Sequence, residues 1–231
     1  FSVAVVIFIL LTVAIIFILF RSRRKEKIDL REKRRQRLGF IPIELSSSQA
    51  LINRILALQP NKTDNLRVTR ISQKKILDGD LYLYDVFNPS IDNDEYQEDN
   101  LIVVSPLLCL PHFALFPLPT LDGKWGSMMN DLVGDIAGWA GNIAGLHRCH
   151  LTAFPNLDRK FTLLAENEEQ IQVFFNAERA QSLASLDPIL TVFAARDAIQ
   201  VDAMYARGKN ADEILDLKIA TAIKLMQNLY N

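Results

Sequence analysis

The chain has 231 residues, 49% of them hydrophobic, and a formal net charge of −1. That length accommodates a membrane anchor plus one domain of ordinary size. The charge is unevenly placed: residues 21–37 carry ten basic and three acidic side chains, a local balance of +7 that leaves −8 for the rest. A basic collar beside an acidic body excludes the usual nucleic-acid binder, which carries its positive charge on the folded domain. Cys109 and Cys149 are the two cysteines, too few for a disulfide framework and in keeping with a reducing compartment. The chain opens on Phe1 rather than Met, as expected of a fragment.

Residues 1–20 (FSVAVVIFILLTVAIIFILF) contain sixteen Val, Ile, Leu or Phe and no charge. At about 1.5 Å per residue a helix of this length spans roughly 30 Å, the hydrocarbon thickness of a bilayer. A buried core helix is seldom apolar all round over such a length. A cleaved signal peptide places its bases before the apolar run, whereas here they follow it. The run is also too long for a buried strand. It is therefore expected to be a transmembrane helix. Arg21, Arg23, Arg24, Lys25 and Lys27 open the collar, and bases beside a span stay cytoplasmic. The expected topology is single-pass in the plasma (inner) membrane, with the N-terminus outside and the remainder cytoplasmic. The bilayer is the expected partner, because the collar attracts anionic headgroups.

Residues 21–38 read as a charged juxtamembrane linker or helix, broken by Gly39 and Pro42, and residues 39–231 as the cytoplasmic domain. Ser46–Gln49 opens an amphipathic helix with Leu51, Ile55 and Leu58 on one face, stopped by Pro60. Residues 66–71 alternate as a strand, Asp78-Gly79 is a turn, and residues 80–87 (DLYLYDVF) and 101–107 form further strands. Residues 88–100 read as an acidic solvated loop. Pro111 and Pro117 bracket an extended piece, 112–116, expected at a sheet edge.

Residues 121–146 form a Gly-rich insertion holding Trp125 and Trp139. It suits either an amphipathic helix touching the membrane surface or a connecting helix packed on the domain. Asp122, Asp131 and Asp135, repelled by anionic lipid, favour the second. Residues 151–154 and 160–165 read as strands. Asn167 caps a helix with Ile171, Phe174, Phe175 and Glu178 on one face, and a short helix spans 181–186. Residues 189–193 and 198–205 are strands, Arg207-Gly208 is a turn, and Asp212 and Glu213 begin a final helix. The apolar stripe of that helix is Leu215, Ile219, Ala222, Met226 and Leu229. The whole predicts an α+β fold, a mainly antiparallel sheet with flanking helices behind an N-terminal transmembrane helix.

Several short segments resemble a family of uncharacterised bacterial proteins. Leu38-Gly39-Phe40 follows the collar, residues 81–85 form an aromatic-rich strand, and Leu110-Pro111-His112-Phe113 follows a hydrophobic one. Phe154 and Arg159-Lys160-Phe161 precede an acidic helix, and a late strand near Tyr205 leads to a terminal helix. The resemblance implies one or two N-terminal membrane helices and a soluble domain. It implies no known activity and no catalytic residue.

All three histidines and both cysteines fall in two patches, Cys109-x-x-His112 and His147-x-Cys149-His150. Such ligands bind Zn²⁺ if the patches meet in space, although a buried Cys more often packs as a small hydrophobe. The acidic loop lacks the glycine and terminal glutamate of an EF-hand loop, and no phosphate loop, nucleophile elbow or HExxH motif occurs. Asp85 is expected to be an edge carboxylate or one hydrogen-bonded in place. Arg159-Lys160 is an anion-binding pair or a solvated strand end. No catalytic residue and no cofactor is assigned. The expected function is a non-enzymatic, membrane-tethered binding module with a protein partner in the membrane or cytoplasm. The alternatives are a lipid-surface-sensing domain using the collar and residues 121–146, and a zinc enzyme using the two Cys/His patches. Residues 215–229 offer a partner surface if the fold leaves them exposed.

Overall fold

A computed structural model describes residues 12, 26, 28–58, 66–87, 99–118, 145–203 and 210–230. The transmembrane helix expected over 1–20, Thr12 apart, the collar residues Arg21, Arg23, Arg24, Lys25 and Lys27, and Trp125 and Trp139 of the insertion lie outside these residues. So do most of the acidic loop and the Arg207-Gly208 turn. Among the described residues no helix is long and apolar enough to cross a membrane. The chain divides into two compact units, Phe1–Ile41 and Pro42–Asn231.

In the first unit residues 28–37 are helical. Gly39 ends the helix at φ +82°, a left-handed conformation that glycine adopts without steric cost. Phe40 N then donates to Arg35 O at 2.9 Å, satisfying a carbonyl of the last turn.

The second unit is built on an antiparallel sheet. The strands of the sheet are β1 (Ile41–Pro42, at the boundary of the two units), β2 (Arg67–Ile76), β3 (Gly79–Phe87), β4 (Asn100–Val104), β5 (Leu110–Pro117), β6 (His147–Cys149), β7 (Phe161–Ala165), β8 (Leu190–Arg196) and β9 (Ala198–Ala203). Their spatial order is β1-β2-β3-β4-β9-β8-β5-β7-β6. The chain meanders to β4, then crosses the sheet end to β5. The β8–β9 hairpin later fills the gap between them. This corrects one expectation. The proline-bracketed strand β5 is interior, paired to β7 on one side and β8 on the other. The two prolines are tolerated because Pro111 lies in a register shift between Leu110 and Phe113, and Pro117 is the last strand residue.

Helices cover both faces. The first, α1 (Gln49–Leu58), buries Leu51, Ile55 and Leu58, the three residues its periodicity marks. They join a core with Tyr84, Ile102, Ala114, Phe116, Leu164 and Phe193. Phe116 and Phe193 meet edge-to-face at 5.5 Å. Strand alternation sends Leu83, Leu101, Val201, Val192 and Leu115 to the opposite face.

That second face carries α2 (Pro155–Asp158), α3 (Glu168–Phe174), α4 (Ala177–Ala184) and α5 (Ala211–Leu229). The last packs on β9 and β4, α3 on β5, and α4 between α5 and α2. Asn167 caps α3 by accepting from Gln170 N at 3.0 Å, as predicted. A second cap was missed: Asn176 accepts from Arg179 N at 2.8 Å and starts a new helix, so Glu178 is not on α3. Residues 151–154 are not a strand but lead into α2, where Pro155 suits a first helical position. In the hairpin, Arg196 takes φ +56° so that β8 can turn directly into β9.

Candidate functional site

The two thiol–imidazole patches do not converge as a zinc site requires. Phe113, Ala165 and His147 lie in one cross-strand row. His112, one residue earlier, pairs instead with Glu166, its Nδ1 lying 3.2 Å from Glu166 Oε2. Cys149 is buried and its Sγ donates to His147 O at 3.4 Å. Burial pushes its thiol pKa above the ordinary value, Glu168 adds to this, and a backbone hydrogen bond at Ala165 opposes it. His150 Nδ1 lies 3.5 Å from Asp158 Oδ2, and Cys109 is exposed before β5. Among the described residues no group of three or more His, Cys, Asp or Glu is placed to hold a metal ion.

The buried polar groups form latches. At one end of the sheet Asp85 is 2% exposed, and its Oδ2 lies 3.0 Å from Arg70 Nε. The carboxylate is thus hydrogen-bonded in place, and it sits on an interior strand. Nearby in register, Tyr84 pairs with Asn100. Lys218 on α5 is 5% exposed; its Nζ donates to Asp202 Oδ1 at 2.7 Å and to Asp99 O at 3.1 Å. The ammonium thereby ties α5 to the ends of β4 and β9.

Ser105 organises the other end. It is fully buried, its N donates to Asp197 O at 2.9 Å, and its Oγ donates to Asp78 O. Leu107 N donates to the same Oγ at 3.2 Å. One serine therefore joins the β2–β3 turn, the β4–β5 crossover and the β8–β9 turn. Beside it, Arg54 of α1 pairs with Asp197 at 2.8 Å, and Gln73 Nε2 donates to Asp80 Oδ1 at 2.9 Å. Burial raises the Tyr82 phenol above its ordinary pKa, and the adjacent Asp80 carboxylate raises it further.

The turns that Ser105 joins display two large apolar side chains, Leu77 at 80% and Leu107 at 47% exposure. Sequence reading places Leu107 in a strand over 101–107, but β4 ends at Val104, and it assigns Leu77 to no element. It favoured the α5 stripe instead, but Leu215, Ala222, Met226 and Leu229 are all buried against the domain. That stripe is core and offers no partner surface.

No family model and no curated protein matches this chain. Among solved structures, the chain is similar to the crystal structure of the mycobacterial trehalose monomycolate transport factor A, TtfA. The TM-score is 0.50 at 8% identity, over 86% of this chain and 92% of that one. At that identity the similarity shows the fold: an antiparallel sheet with flanking helices, of the α+β class the sequence predicts.

Proposed function

We propose that this chain is a membrane-tethered, non-enzymatic module that serves a lipid-handling assembly by holding a protein partner at the membrane. The observation that carries the reading is the fold shared along nearly its whole length with a protein named as a transport factor. The apolar segment 1–20 and the collar support the tether, with the folded domain on the cytoplasmic side. The buried polar groups support a binding role, since each named latch joins structural elements to one another. Leu77 and Leu107 give the partner an apolar foothold on adjoining turns.

The test uses the full chain in native membranes. Carbonate washing should leave it in the membrane fraction, and a C-terminal reporter should be active only in the cytoplasm. Purification in mild detergent should recover a stoichiometric membrane-protein partner, and Leu77→Asp with Leu107→Asp should release it while the chain stays folded. Extraction by carbonate overturns the tether. A chain that purifies alone, or a partner indifferent to both substitutions, overturns the binding role at these turns.

A further inference from the structure

The connection that leads into β7 carries the two cations the sequence singles out, Arg159 and Lys160, both exposed just before the strand. Arg159 closes α2, its N donating to Pro155 O at 3.1 Å, and Lys160 N donates to Leu157 O at 3.0 Å. With both backbones fixed, the two side chains enter an open pocket of about 340 Å³ between α2 and α4. Its lining is Asn156, Arg159, Lys160, Gln181 and Ala184. We propose that this pocket binds a phosphate group borne on a small polar head.

The chemistry of the lining points that way. It holds two cations, two amides and no carboxylate. The Lys160 ammonium donates to Ala184 O at 2.8 Å, where the carbonyl end of α4 holds it in position. An ammonium has three donors, so two remain for a ligand. Arg159, Asn156 and Gln181 make no side-chain hydrogen bond or ion pair with the described residues. A guanidinium fork, a fixed ammonium and two free amides together match an acceptor-rich anion.

The neighbouring acids are engaged elsewhere or set back. Asp158 Oδ1 accepts from Leu151 N at 3.4 Å and Oδ2 faces His150, while Glu178, one turn before Gln181, does not line the pocket. The volume lies at the lower end of small-ligand sites, roughly 300–1,000 Å³, which suits a phosphate and the few atoms attached to it. The phosphate can belong to a soluble phosphomonoester or to a phospholipid headgroup.

The experiment titrates inorganic phosphate and glycerol phosphate into the purified full chain by calorimetry. It also titrates water-soluble short-chain phosphatidylglycerol and phosphatidylcholine, which present the headgroup without a bilayer. Arg159→Gln should weaken saturable phosphate binding at least tenfold. Gln181→Glu, which adds a carboxylate at an exposed position, should abolish it with no change in melting temperature. Saturable binding of short-chain phosphatidylglycerol that is lost in Gln181→Glu assigns the headgroup as source; no binding of that lipid, with the glycerol phosphate isotherm lost in the variant, assigns the soluble ester. The collar is identical in both proteins, so the difference belongs to the pocket. No saturation in either arm, or binding indifferent to both substitutions, overturns the proposal. Loss of the tether would leave the phosphate isotherm unaltered, so the two readings fail separately.

Discussion

Arg70 and Asp85 meet because β2 holds one residue more than β3 between two points of matched register. Thr69 pairs with Asp85 and Ser72 with Leu83, so the ladder advances three positions on one strand and two on the other. Arg70 absorbs the excess at φ +50°, a conformation costly for any residue but glycine. In return its guanidinium reaches a buried carboxylate.

Removing the cation should therefore be worse than removing the pair. Arg70→Ala is expected to cost about 2–3 kcal/mol, somewhat below the range for fully buried pairs because Arg70 is partly exposed. Arg70→Gly should cost about 1 kcal/mol less than Arg70→Ala, since glycine relieves the backbone. The double substitution Arg70→Met with Asp85→Leu should be more stable than Arg70→Ala. Urea denaturation midpoints of the four proteins decide this; equal losses for Ala and Gly would argue that the backbone stores no strain.

Lys218 is the only basic residue in the buried stripe of α5. Lys218→Met keeps the stem and removes the charge, leaving Asp202, itself partly solvated, and Asp99 O without this donor. A loss of about 2 kcal/mol is expected. Hydrogen exchange should accelerate in the first half of α5 before it does in the second, where Leu225, Met226 and Leu229 stay packed. Uniform exchange along the helix would count against the latch.

Gly79 is fixed by close approach. A Cβ there would stand 2.8 Å from Val104 O, 3.0 Å from Met226 Sδ and 3.2 Å from Ser105 Cβ. Gly79→Ala should cost about 1–3 kcal/mol by overpacking. Ser105→Ala should cost about 1–2 kcal/mol, because Asp78 O and Leu107 N lose their partner. Thermal melting of both variants provides the check, and a neutral Ser105→Ala would mean that the three turns hold without it.

Cys149 couples stability to alkaline pH. The fold favours its neutral thiol, so its folded pKa lies above the unfolded one. Its contribution is complete below the unfolded value, about 8.5, and is lost as pH rises from there through the folded value. Between about pH 8 and 10 the wild-type chain should lose stability more steeply than Cys149→Ala. A thiol reagent should modify exposed Cys109 in the native chain at least about a hundredfold faster than Cys149. Parallel pH slopes in the two proteins would rule the thiol out.

Much of the fold is legible in the sequence because its signals are local. Leu51, Ile55 and Leu58 recur at helical spacing, Asn167 stands before a run of acids, and residues 80–87 are rich in aromatic and apolar side chains; each forms the predicted element. The unread short elements share one cause. Short elements carry little periodicity, so β6, with three residues, and α2, with four, went unread. The break between α3 and α4 depends on a single cap at Asn176, inside what reads as one helix face.

The site is less legible, since chemistry depends on which segments become neighbours. Spacing of Cys and His says nothing of cross-strand rows, and the row through Phe113, Ala165 and His147 leaves His112 to Glu166. An apolar stripe says that a helix packs but not against what, and α5 spends its stripe on the domain itself.

Composition and local order by themselves determined the α+β class, the antiparallel pairing and the principal helices, because backbone geometry and burial act on neighbours along the chain. Only the tertiary structure decided that β5 is interior, that Lys218 and Asp85 are buried with partners, and that Arg159 and Lys160 share a pocket with Gln181. Those facts come from strand order, and strand order is a choice among long-range pairings that have nearly the same local pattern.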